Sequence, residues 1–182
     1  MKEIYTRALV LNRRPLGEQD GLVSFFTQDF GKIVARARSI RKPTSKLSAH
    51  LQPLSFVKIR FVKLGDKEIF LITDCVWDDA LRPFQTHKRY DMLNMLSFVN
   101  AVTFDLQTDR RLWHFLEEVF KHHYNLNQII RGILQLLGHD PTGATCRVCK
   151  KNADIFVYHD ESFLCQHCAQ MVPKEQYISI SS

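Results

Sequence analysis

Phe56-Val57-Lys58-Ile59-Arg60-Phe61-Val62-Lys63-Leu64 alternates apolar and basic residues, and a period of two is the signature of a strand with one buried face. Val57, Ile59 and Phe61 fall on one side, Lys58 and Arg60 on the other. The pattern recurs upstream, where Ile33, Ala35 and Ala37 interleave with Lys32, Val34, Arg36 and Arg38. Residues 4–11, 22–27 and 69–76 read as three further strands, with turn chemistry at Pro15-Leu16-Gly17, Gln28-Asp29-Phe30-Gly31 and Gly65-Asp66-Lys67. Five short strands in about 80 residues predict a small Greek-key barrel, whose closure removes exposed edges. An OB-fold and a five-stranded SH3-like barrel both satisfy this pattern.

Beyond residue 84 the period becomes helical. Met92, Met95, Leu96, Val99 and Val102 share a face, as do Leu112, Phe115, Leu116 and Val119, and then Leu126, Ile129, Ile130, Ile133, Leu134 and Leu137. Thr108 or Asp109 caps the second helix and Asn125 the third, and Gly138 with Pro141 after it marks the stop. Three amphipathic helices leave more than one apolar seam; Leu112 and Ile129 read as outward positions for a partner or a second copy.

Cys146-Arg147-Val148-Cys149 and Cys165-Gln166-His167-Cys168 are two C-x2-C pairs fifteen residues apart. Each pair sets two thiolates on one tight knuckle, and two knuckles close a tetrahedron with Zn–S arms of about 2.3 Å. Between them, Ile155-Phe156-Val157-Tyr158 and Ser162-Phe163-Leu164 flank a polar turn, the layout of a zinc ribbon. Disulfides require an oxidising compartment, and neither a charged-then-apolar leader ahead of Tyr5 nor an apolar run of about 18 residues is seen. Four thiolates fill the coordination of one Zn2+ and make the ion structural; His159 and His167 read as solvated bystanders. Cys75, in an apolar strand, is read as a buried inert thiol. The chain is thus expected to be an α+β multidomain protein: a barrel over 1–80, helices over 81–143, a zinc module over 144–172 and a loosely ordered tail over 173–182.

The net charge of +6 is unevenly placed. Residues 1–63 carry 13 Lys and Arg against four acids, whereas the remainder carries 12 against 15. Between Phe30 and Gly65 there are nine basic residues and no acid. Solubilising faces mix both signs, so this stretch is read as a surface for an anionic partner, with a phosphate backbone the natural ligand. The candidate contacts are Lys32, Arg36, Arg38, Arg41, Lys42, Lys46, Lys58 and Arg60. Phe25, Phe26, Phe30 and Phe56 divide between barrel core and platforms for unpaired bases.

No nucleophile elbow, Gly-rich phosphate loop, H-E-x-x-H or EF-hand loop occurs, so no catalytic residue is assigned. His114, Glu118 and His122 share one helical face, read as a polar face with i, i+4 pairs rather than a second metal site.

Read in order, the chain resembles the bacterial recombination mediator family RecO. The likeness is carried by Gly17-Glu18-Gln19-Asp20, by Thr27-Gln28-Asp29-Phe30-Gly31, by Arg41-Lys42-Pro43-Thr44-Ser45-Lys46, by Leu51-Gln52-Pro53-Leu54, and by Leu136-Leu137-Gly138-His139-Asp140-Pro141 leading into Cys146. The resemblance implies an OB-fold that binds single- and double-stranded DNA, no nucleotide hydrolysis, annealing of complementary strands, and help in loading recombinase during repair. It implies as partners the mediator RecR and the C-terminal tail of single-stranded DNA-binding protein, a DNA-binding loop over Arg38 to Lys46, zinc on Cys146, Cys149, Cys165 and Cys168, and a cytoplasmic, nucleoid-associated location. Typical members are longer, with more helix before the finger and further helices after it; here fourteen residues follow Cys168. Ala37-Arg38-Ser39 stands where Gly-Ala-Arg is usual. An RNA-binding or ribosome-associated zinc-ribbon factor, or an adaptor for an acidic protein tail, would draw on the same charges.

Overall fold

The residues marked as inward by their alternation are buried: Ile33, Ala35, Ala37, Val57, Ile59 and Phe61 line one core, while Arg38, Lys58 and Arg60 face water. A computed structural model describes residues 3–64, 69–81 and 89–180. The turn expected at Gly65-Asp66-Lys67 and the entry to the first long helix lie outside the described residues.

Five strands form a closed barrel: β1 (Glu3–Leu16), β2 (Asp20–Thr27), β3 (Gly31–Ala37), β4 (Phe56–Leu64) and β5 (Ile69–Trp77). The first strand runs further than its alternation indicated, because a bulge between Val10 and Asn12 bends it. Its first half pairs with β4 from Glu3 to Leu9 and its second half with β2 from Ala8 to Leu16, so one bent strand closes the cylinder.

The strand order is β1-β2-β3-β5-β4, with β3 parallel to β5 through Ala35↔Phe70 and Arg36↔Leu71. A meander would pair only antiparallel neighbours. This crossover is a Greek-key connection of the OB type, which decides between the two barrels. The chain makes it through α1 (Lys46–His50), and Leu47, with Ile40 and Leu51 on either side, packs on the barrel core.

Two helices cover part of the barrel wall, α2 (Arg89–Val102) and α3 (Arg110–Lys121). Leu9, Phe26 and Phe56 point outward yet are buried. Trp113 stacks on Phe26 and meets Phe56 edge-on, and Phe120 meets Phe56 at 4.8 Å. Arg7 enters this second core, donating from Nε to Asp78 at 2.6 Å and pairing through Nη1 with Glu117 at 2.7 Å, its guanidinium 5.7 Å from the Trp113 ring. Asp109, not Thr108, caps α3, its carboxylate accepting from Arg111 and Leu112 amides. Leu112 is fully buried, contrary to its reading as outward, because the buried stripe of α3 also takes in Trp113 and is wider than one seam.

By compactness the chain divides into residues 1–123 and 124–182. In the second unit α4 (Leu126–Leu136) begins with a capping box of Asn125 and Gln128. It ends as its punctuation indicated: Gly138 has φ +89°, and the His139 amide donates back to Leu134. Ile129 is buried too, so neither outward assignment holds. Strands β6 (Ile155–Val157) and β7 (Ser162–Leu164) form the anticipated hairpin, but the expected loose tail is ordered over its described residues, 173–180. Tyr177–Ser179 is a further strand, β8, paired with the free edge of β6, and Ile180 is buried. An edge strand with unpaired amides is a template for such an addition.

Candidate nucleic-acid interface and metal centre

Two connections meet at one end of the barrel. The turn between β1 and β2 contains Gly17, at φ +62°, and the segment after β3 opens with Ser39 at φ +52°. Asp20 ties them together: one carboxylate oxygen accepts from the Ser39 amide at 2.8 Å, the other from Arg36 Nε at 2.8 Å and also from Nη2. The Ser39 N–H, then Arg36, hold the Asp20 carboxyl below the ordinary carboxylate range. Arg41 docks its own loop onto the turn, donating from its amide to Gln19 O and from Nη1 to Gly17 O, each at 2.9 Å. Local turns, Lys42 N to Ser39 O and Ser45 N to Lys42 O, complete the loop.

The outcome is a pinned loop that presents Arg38, Arg41, Lys42 and Lys46 to solvent, with Arg36 beside them but engaged by Asp20. Arg13 and Arg14, which the sequence reading did not select, join Pro15, Gly21 and Arg41 around a small open cavity of about 100 Å³. The adjacent pair Arg13-Arg14 just before the Pro15-Leu16-Gly17 turn was the available signal. Its meaning depends on the bulge, which carries β1 on to this end.

The remaining expected contacts lie elsewhere. Lys32 is held against α2, donating to Asn100 O at 3.1 Å, with Asp105 at 3.6 Å. Lys58 and Arg60 are exposed on β4, which β5 separates from β3, and Arg60 has Glu3 at 3.8 Å and Asp74 opposite it on β5. Phe25, Phe26 and Phe56 are buried, and Phe30 packs against the barrel core, so the ring platforms assigned to them are corrected: these positions form core and helix contacts. His114 pairs with Glu117 at 3.3 Å and His122 with Glu118 at 3.1 Å, a polar helix face. Cys75 is buried, and desolvation pushes its thiol up to about 12.

In the second unit, the Sγ atoms of Cys146, Cys149, Cys165 and Cys168 all lie within 4.8 Å of one another, Cys149 and Cys165 at 3.6 Å. A tetrahedron with arms of about 2.3 Å has edges of about 3.8 Å, so the donor set fits a metal ion. The first knuckle turns through Lys150 at φ +63°, whose amide donates to Cys146 O at 2.9 Å. Amide N–H groups of Cys149, then Cys165 and Val148, draw the Cys146 thiol down to about 6, favouring the thiolate a metal requires. The β6–β7 hairpin is braced by Arg147 Nη1 on Asp160 at 2.8 Å and by Ser162 Oγ donating to the same carboxylate at 2.7 Å. His159 and His167 are exposed and stand outside the cluster.

An OB-type barrel with a cationic loop, followed by helices and a four-thiol centre, defines a class of small multidomain proteins rather than a single activity. Residues 1–79 match the family described as Recombination protein O N terminal. A DNA repair protein RecO of Thermodesulfovibrio yellowstonii is 29% identical over 179 residues, 90% of this chain and 69% of the relative. RecO of Acetivibrio thermocellus is 27% identical over 191 residues, 93% of this chain and 72% of that protein, and RecO of Cutibacterium acnes 34% over 85 residues, 47% and 32%. The chain is thus similar to RecO proteins along most of its length, and its barrel region matches their N-terminal family model. Among the described residues no helix is long and apolar enough to cross a membrane.

Proposed function

We propose that this protein acts in DNA repair and recombination as a non-enzymatic mediator, binding DNA through the pinned cationic loop of its barrel and annealing complementary single strands. The observation that carries the reading is the docking of Arg41 onto the β1–β2 turn, which fixes the loop bearing Arg38 and Lys42 and sets Arg41 beside Arg13 and Arg14. Preorganised cations hold a phosphate backbone without first losing loop entropy, and neutralising two strands lets them approach. On this reading residues 1–80 are the nucleic-acid-binding domain, 81–143 a helical segment, and 144–172 a module folded around one structural Zn2+ on the four cysteines, with Tyr177–Ser179 completing its sheet. Tetrahedral thiolate geometry suits zinc, and thiolate ligands fill its coordination sphere. Assistance in recombinase loading, contact with a RecR-type mediator and with the tail of single-stranded DNA-binding protein, and a place at the nucleoid are suggested by the similarity to RecO proteins and belong to the same proposal.

The test is annealing of complementary oligonucleotides coated with single-stranded DNA-binding protein, with and without ATP. Annealing accelerated equally in both supports the reading. Annealing that requires ATP hydrolysis overturns it, and tighter binding to structured RNA than to DNA at matched salt moves the assignment to the RNA-binding alternative.

A further inference from the structure

The chain has two tryptophans, and they are treated in opposite ways. Trp113 is fully buried between barrel and helix, whereas Trp77, at the end of β5, is 48% exposed. Tryptophan carries one of the largest apolar surfaces of any side chain, so a half-exposed ring on an ordered strand is a candidate contact surface. Trp77 is not loose. Its backbone is in register with Val57 on β4, and its ring meets His50 of α1 edge-on at 4.5 Å and 67°.

The cationic loop reaches Trp77 through α1. Lys46 precedes His50 by one turn of α1, so the two share a face, and the cationic loop runs directly into Lys46. Across the barrel wall, Val76 is also 48% exposed and lies opposite Lys58. Trp77 itself adjoins the cationic segment through His50, on the short helix into which the loop of Arg38, Arg41 and Lys42 runs. Phosphates and bases alternate along a single strand, and proteins that hold such strands combine a positive track with an aromatic face.

We propose that Trp77 is a base-stacking platform, its ring taking an unpaired base of single-stranded DNA whose backbone runs along the cationic loop. This rests on the DNA-binding reading above. It makes the site selective for unpaired bases, since bases in a duplex offer no free face.

The experiment uses the full chain with oligothymidylate, an abasic oligonucleotide of equal length, and a duplex, read by anisotropy of the labelled nucleic acid and by intrinsic fluorescence. Oligothymidylate is expected to quench the exposed part of the emission and leave that of Trp113. Trp77→Phe should abolish the quenching while holding affinity within a few-fold, because phenylalanine still stacks. Trp77→Ala should weaken oligothymidylate binding by about tenfold, with abasic and duplex affinity unchanged. Quenching that persists in Trp77→Phe, or equal affinities of Trp77→Ala and the parent with DNA binding intact, overturns the inference alone. No DNA binding by the parent chain overturns the function and the inference together.

Discussion

Asp20 determines how much of the local positive charge is available to a ligand. It reaches across from β2 to Arg36 and also fixes Ser39, so the loop owes its shape to an ionised carboxylate. A carboxyl whose folded pKa lies below its unfolded value stabilises the fold above the ordinary carboxylate range, and that contribution is lost as pH falls through the folded pKa. Asp20→Asn should therefore lower the urea midpoint at neutral pH, and the gap to the parent should close on acidification below the ordinary carboxylate range. A gap that stays constant would show that Asp20 acts by shape alone. The same residue shows what strand alternation can and cannot reveal. It identified Arg36, Lys58 and Arg60 as outward. It could not reveal that Arg36 meets Asp20 from β2, that Arg60 meets Glu3 from β1, or that Lys32 meets Asp105. A stretch free of acids along the chain is not free of acids in space, because partners arrive through sheet pairing and helix packing.

At the level of elements, Gly31 and Arg7 are the joints between barrel and helices. Gly31 has φ +68°, and a Cβ there would lie 1.9 Å from the carbonyl oxygen of Gln107, in the loop that follows α2 and bridges to Lys32. Neither partner is a side chain that can swing away, so Gly31→Ala should destabilise by about 2–4 kcal/mol, more than the left-handed conformation alone costs. Arg7 neutralises Asp78 and Glu117, which are both buried. Arg7→Ala would leave two buried carboxylates without their shared cation, at a cost of about 3–5 kcal/mol readable in unfolding curves. The elements themselves were mostly legible, since periods of two and 3.6 with Asn125 and Gly138 as punctuation mark strands, helices and their ends. The length of β1 and the strand at Tyr177–Ser179 were not. A bulge leaves no clear periodic trace, and a three-residue strand is defined by the edge it joins rather than by its own composition.

Across the whole molecule, the four cysteines and the barrel carry separate tasks. Structural zinc binding in finger peptides is worth on the order of 10–16 kcal/mol at neutral pH, more than a small module's own core supplies. Cys149→Ser, or a strong chelator, should therefore unfold the four-cysteine module while leaving the barrel's slow amide hydrogen exchange in place, and metal analysis should return one zinc per chain. Simultaneous loss of barrel protection would mean that the two units fold as one. The spacing of the cysteines was readable because a tetrahedron demands two tight pairs; the cationic surface was readable only in sign, since its shape comes from the Gly17 turn and the Arg41 hydrogen bonds. The account stands or falls on that surface. Its most direct test is the dependence of single-stranded DNA affinity on salt for the parent and for the triple variant Arg38→Ala, Arg41→Ala, Lys42→Ala, each first verified as folded and metal-replete. With about 0.7 unit of slope per phosphate neutralised, the variant should lose about 2 units of the slope of log K against log salt. An unchanged slope would place the DNA elsewhere on the molecule.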